Sequence, residues 1–283
     1  MPSFATSADG TRVAYDRVGH GPAVVLVDGA FCTRDFGPNP KLAEALSDRY
    51  TVVTYDRRGR GDSDDAPRGL DREVEDLAAV IDGAGGRAAV YGISSGGGLA
   101  LEAARRLPGI NALAVYEVPF IVDDTRPPLG PDFLPRVREA IAEDRSGAAV
   151  HMFMTEGIAQ PARMARMMRL MPAWPRLKRI AHTVPDDLSI VDRHQRGRPL
   201  DPADWQDITV PTLVVAGGKS PAWIRNAMAA LGRVLPDAQY RVLDGQTHMV
   251  KPKVLAPALA GFFGDHAPRA VAADPGLPLG AAR

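Results

Sequence analysis

A serine with glycine two residues before it and two after, Gly92-Ile93-Ser94-Ser95-Gly96, sits where a valine-rich run gives way to a run of small residues. That is G-x-S-x-G at a strand-to-helix bend. The bend holds the serine in strained backbone geometry, and the two glycines keep side chains from colliding with the neighbouring strand and helix. Ser95 has Ile93 two residues before it and fits the same bend badly. Ser94 is therefore the candidate nucleophile, and Ser95 contributes a backbone N–H. A phosphate cradle is the competing reading of such a turn. The stretch "GISSGGG" lacks the Lys-Ser/Thr ending of a P-loop, however, and misses G-x-G-x-x-G in register.

A serine hydroxyl needs a base to take its proton. His248, in "LDGQTHMVKP", lies in a loop after the last strand pattern and before the last helix. In an open parallel sheet that loop emerges at the carboxyl-end edge, the same edge as the Ser94 bend. The other histidines are worse placed: His20 in an early turn, His266 in the tail, and His151, His182 and His194 in a strandless stretch. An acyl-transfer oxyanion needs two N–H donors. Ser95 offers one, and Ala30 the other, in the "VDGAFC" turn where Gly29 lets the chain bend and Phe31 follows. Cys32, the single cysteine, reads as a buried structural thiol.

These residues need a sheet to align them. The runs 23–29, 50–56, 88–94, 112–118 and 212–218 are apolar on both faces, as strands covered by helices on each side must be. Residues 11–19 pair with 3–7 as an edge hairpin, and 239–246 is a late strand. Val74, Leu77, Ala78 and Ile81 recur at helical spacing over 70–83; Ile224, Ala227, Met228 and Leu231 do so over 221–233; and 251–264 closes as a helix. Short strands alternating with helices predict an α/β sheet, mostly parallel.

The rhythm breaks at 121–207, where strands vanish, prolines recur and helical patterns dominate, the mark of an insertion after one strand. The expected organisation is a core over 1–120 and 208–265, the insertion at 121–207, and a disordered tail over 266–283. The insertion holds six of the nine methionines. Met164, Met167, Met168 and Met171 form one stripe at helical spacing, either plain core or an apolar lid. As a lid it joins Met152, Trp174 and Phe31 as candidate substrate contacts and favours a hydrophobic small molecule. Arg163, Arg166 and Arg169 alternate with the methionines as a solvated face.

Lys plus Arg equals Asp plus Glu at 34 each, which gives no surplus for nucleic acid or an anionic membrane. One cysteine excludes an intrachain disulfide and a thiol metal cluster. The start "MPSFATSADG" lacks a basic and an apolar region, and no apolar run approaches the ~20 residues of a bilayer span. The expectation is a soluble cytoplasmic protein, monomer or homodimer.

The strand "VVLVDGA", the turn "YDRRGRGDSD", "GISSG" and "GQTH" follow one another in an order that resembles the α/β-hydrolase fold superfamily over roughly residues 10–265. The resemblance implies a mostly parallel eight-stranded sheet flanked by helices, with a helical cap inserted after the sixth strand. It implies Ser94 as nucleophile, His248 as base, and Ala30 and Ser95 as oxyanion donors, with no metal or organic cofactor. Two departures stand out. Asp28-Gly29 replaces the His-Gly of many members. The usual acid position, after "TLVVAGG", is Ser220, which cannot hold an imidazolium by charge. Some members, such as certain haloalkane dehalogenases, place the acid one strand earlier, where this chain has Glu117; Asp244, Asp123 and Asp124 are the other carboxylates in reach. The implied activity is serine hydrolysis of an ester, lactone or related acyl bond through Ser94–His248–Glu117. Cofactor-free C–C hydrolysis, lyase or cyclase chemistry, and non-catalytic ligand binding, are the alternatives.

Overall fold

The computed structural model describes residues 2–266. Its centre is one eight-stranded sheet: β1 (Ser3–Thr6), β2 (Arg12–Val18), β3 (Ala23–Val27), β4 (Thr51–Tyr55), β5 (Ala88–Ile93), β6 (Ile110–Tyr116), β7 (Thr212–Gly217) and β8 (Ala238–Leu243). The spatial order is β1-β2-β4-β3-β5-β6-β7-β8. β2 runs antiparallel to both its neighbours, and every other pair is parallel.

Helices α1 (Asn39–Leu46), α2 (Leu70–Gly83), α3 (Ser95–Ala104), α9 (Ala222–Val234) and α10 (Pro252–His266) cover the two faces. Alternate residues of the central strands supply the two cores, because successive side chains of a strand point to opposite faces. Val25, Val90, Val115 and Val214 pack with Leu77, Leu99 and Met228 of α2, α3 and α9. Leu26, Tyr91, Ala114 and Val215 pack with Leu42, Leu259 and Phe263 of α1 and α10.

Between β6 and β7 the chain forms α4 (Phe133–Ala142), α5 (Ser146–Met152), α6 (Ala162–Met167), α7 (Trp174–Ile180) and α8 (Val184–Val191), with short 3₁₀ turns and no strand. Phe133, Val137, Val150, Phe153, Leu177 and Leu188 build a separate apolar core there, which includes Phe31. α8 returns to the body: a methyl group on Gly98 of α3 would lie 2.8 Å from Ile190 Cγ2.

Two local expectations change. The methionine stripe is not one helix. α6 ends at Met167, residues 168–170 tighten into a 3₁₀ turn, and Met171 is extended. Met164, Met167 and Met171 are 50–67% exposed, so this run is neither core nor a closed lid. β6 also ends at Tyr116, which puts Glu117 just past the strand rather than on it. Residues 267–283 of the expected tail lie outside the described residues, and His266 closes α10. None of the described helices is long and apolar enough to cross a membrane.

Candidate active site

The bend between β5 and α3 holds Ser94 at φ 57° and ψ −129°. Its N–H donates to Tyr116 O at 2.9 Å, which ties the bend to the end of β6. A methyl group at Gly92 would sit 2.5 Å from Gly96 O, and one at Gly96 2.5 Å from the Val27 and Asp28 carbonyl oxygens. Only glycine permits these approaches, which is the physical content of the G-x-S-x-G spacing. Ser94 is partly accessible, and its Oγ makes no hydrogen bond among the described residues. In resting sites the nucleophile–base contact commonly tightens only with substrate bound.

Glu117 is fully buried at φ 48°. Its Oε1 accepts the Gly217 N–H at 2.7 Å, and its Oε2 faces His248 Nδ1 at 2.9 Å. One carboxylate oxygen is thus anchored to the end of β7 while the other holds the imidazole. With a Glu117 oxygen as the acceptor, Nδ1 carries the proton and Nε2 is left without one. The histidine loop is itself pinned. Tyr116 Oη donates to Thr247 O at 2.7 Å, Lys219 N–H to Gln246 O at 2.8 Å, and Lys251 N–H to Gln246 Oε1 at 3.1 Å. Ser94, Glu117 and His248 are thereby brought to one edge of the sheet. The other carboxylates lie elsewhere: Asp244 and Asp124 are exposed, and Asp123 binds Thr125 and Asn226. Ser220 is buried, with its Oγ unpartnered.

The turn after β3 lies against Ser94, since a methyl group on Gly29 would be 2.9 Å from Ser94 Cβ. Among the described residues, neither the Ala30 nor the Ser95 N–H has an acceptor. Free N–H groups flanking the serine on both sides suit a developing oxyanion. Of five non-glycine residues at positive φ among the described residues, three are Phe31, Ser94 and Glu117. Backbone strain of this kind persists only where packing enforces it, and here it clusters on the site.

Sequence reasoning missed what holds these turns. Arg57 and Arg60, from the "YDRRGRGDSD" turn, are buried and converge on Asp187 of α8, each at 2.6 Å. Glu73 pairs with Arg57 at 2.5 and 2.6 Å, Arg60 donates to Gly29 O at 2.8 Å, and Ser95 Oγ donates to Asp187 at 2.7 Å. One carboxylate from the insertion therefore braces both the Gly29 turn and the Ser94 bend. Burial alone would raise the Asp187 pKa, but Arg60 and Arg57 outweigh it and hold the group below its ordinary value. Adjacent arginines after an apolar strand were the available signal. Asp187→Ala, which leaves the buried Arg60 guanidinium without a carboxylate and Arg57 with Glu73 alone, should cost about 3–5 kcal/mol in denaturant unfolding.

Asp28, which replaces the histidine of many members, is the other buried carboxyl beside this turn. Its side chain is buried and its Oδ1 has no partner. Burial pushes its pKa up to about 8, with Arg60 and Arg57 only partly opposing. Burial thus favours the neutral carboxyl beside the Gly29 turn. A carboxyl pKa raised on folding stabilises fully below its unfolded value of about 3.9, and that stability is lost as pH rises to the folded value. The thermal midpoint of Asp28→Asn should thus gain on that of the unsubstituted protein from pH 4 to 8, then level off; a constant difference would contradict this.

The remaining candidates spread out. Phe31 is buried, edge-on to Phe153 with ring centroids 5.1 Å apart. Met152, Met168 and Trp174 pack half-buried on the core of the insertion, and Met164 is half exposed on its surface. Cys32 is half-buried, and burial pushes its thiol well above the ordinary range.

The sequence over residues 24–273 matches the model described as the alpha/beta hydrolase family. The structure superposes with a TM-score of 0.85 on an alpha/beta hydrolase from Sphaerobacter thermophilus, 46% identical, covering 92% of this chain and all of that one. A non-heme chloroperoxidase of Streptomyces lividans is 36% identical over 152 residues, half of this chain and 55% of that protein. A 2-(acetamidomethylene)succinate hydrolase of Mesorhizobium japonicum is 26% identical over 87% of this chain and 89% of its own length.

Proposed function

The chain belongs to the alpha/beta hydrolase family, and from that premise we propose that it is a serine hydrolase cleaving an ester, lactone or related acyl bond of a hydrophobic small molecule. The observation that carries this reading is the 2.9 Å contact from Glu117 to His248 Nδ1, on the sheet edge where Ser94 stands at φ 57°.

Ser94 Oγ attacks the carbonyl as His248 Nε2 takes its proton, and the oxyanion is received by the Ala30 and Ser95 N–H groups. His248 returns the proton to the leaving group, and the acyl–Ser94 ester forms. Water, activated by the same nitrogen, then releases the acid. Glu117 stays ionised and steadies the imidazolium. Phe31 beside Ala30 and the aromatic Phe153 it touches supply an apolar wall.

The named activity of the Mesorhizobium relative, a hydrolase, supports hydrolytic turnover. Ser220 at the usual acid position favoured a non-catalytic binder, and Glu117 removes that reason. The test is turnover of p-nitrophenyl esters from acetate to octanoate, a set of lactones and a β-diketone. The expected result is ester and lactone hydrolysis with little C–C cleavage. Preferential β-diketone cleavage would move the assignment to C–C hydrolysis, and no turnover by folded protein would sink the enzyme reading.

A further inference from the structure

Four arginines are buried among the described residues, and three of them have carboxylate partners: Arg57 with Glu73 and Asp187, Arg58 with Asp76, Arg60 with Asp187. Arg126 has none. Its side chain is 6% exposed, and burial, with no facing charge to oppose it, pulls its pKa below the ordinary value. Nη2 donates to the Glu156 and Gly157 carbonyl oxygens at 2.5 and 2.8 Å. The guanidinium lies 4.4 Å over the Trp223 ring, while Nη1 has no partner. A guanidinium cannot shed its proton in a protein, so a net positive charge is buried here uncompensated.

Its surroundings link it to the catalytic edge on two sides. Trp223 is the second residue of α9, three beyond Ser220 and just past the connection from β7, whose Gly217 anchors Glu117. Glu156 and Gly157 end the widened turn that begins at Phe153, the ring against Phe31. The guanidinium therefore joins the segment that follows β7 to the turn whose first ring packs on Phe31.

We propose that Arg126 seats the carboxylate of an otherwise apolar substrate, an acyl compound bearing a carboxylate remote from the bond that is cleaved; this rests on the hydrolase reading above. The Trp223 ring covers one face of the guanidinium, and the unpartnered Nη1 edge is free to form a charge-assisted hydrogen bond. The opposing account is a structural tie: an arginine that only fastens the insertion to the body through two carbonyls.

The experiment compares kcat/KM on mono-p-nitrophenyl glutarate with that on p-nitrophenyl pentanoate, the neutral ester of equal chain length. The unsubstituted protein should prefer the carboxylate ester about tenfold or more. In Arg126→Met the ratio should fall to near one, chiefly through KM for the glutarate ester, and Arg126→Lys should keep part of it. A ratio near one in the unsubstituted protein overturns the proposal, as does an equal loss on both esters with a lowered thermal midpoint. Calorimetric titration with glutarate separates this from failure of the hydrolase reading. If neither ester turns over, glutarate binding that is lost in Arg126→Met, or weakened in Arg126→Lys should the first variant not fold, still supports the seat. No glutarate binding to the unsubstituted protein overturns it.

Discussion

Ser94→Ala should lower kcat/KM on p-nitrophenyl esters by about 10⁵-fold and leave only the weak acceleration of a binding site with oxyanion donors. The argument rests on division of labour: without the hydroxyl, His248 has no nucleophile to activate, and no covalent intermediate forms. The variant should fold normally. Ser94 Oγ makes no hydrogen bond among the described residues, and alanine keeps the Cβ that already occupies the bend at φ 57°. A small loss of rate with a normal thermal midpoint would mean that another group carries the chemistry, and the near neighbour Ser95 would be the first suspect. Ser95 is poorly suited to that role, because its hydroxyl is committed to Asp187 at 2.7 Å and its side chain is buried.

Glu117→Gln should be the second largest effect, a loss of about 10³–10⁴ in kcat with KM little changed. The magnitude follows the acid-to-amide substitution in serine proteases, where geometry survives and the wrong histidine tautomer is stabilised. The same exchange of roles is expected here. Glutamine fits the pocket, and its amide oxygen still accepts the Gly217 N–H now held at 2.7 Å. Its NH₂ then faces His248 Nδ1, which must accept, so the proton moves to Nε2 and the base is lost. Asp244→Asn is the matched control: Asp244 is exposed and outside salt-bridge distance of His248, so its rate should stay within about threefold, as for surface changes generally. The reverse pattern would transfer the acid to Asp244.

The sheet was legible because its central strands are apolar on both faces, and nothing but helices on each side explains such runs in a chain of this length. The residues at the strand ends were legible for a related reason. A parallel sheet delivers the ends of β5, β6 and β7 and the loop after β8 to one edge, so order along the chain puts Ser94, Glu117 and His248 at that edge, where Glu117 meets His248. What could not be read were contacts between distant segments. Asp187 binding Arg57, Arg60 and Ser95 joins three separate stretches, and no local pattern encodes it. The positive φ of Phe31 and Glu117 is imposed by packing, since neither residue type favours it. The methionine stripe misled for a definite reason: Pro161, Pro172 and Pro175 leave too little chain for one long helix, and the periodicity from Met164 to Met171 crosses a 3₁₀ turn.

The central claim is that Ser94 is a serine nucleophile activated through His248. The most direct measurement is peptide mapping by mass spectrometry after reaction of the folded protein with a fluorophosphonate. The account predicts a single adduct on Ser94, formed much more slowly in His248→Ala. An adduct on any other residue, or no adduct on folded protein, would contradict it.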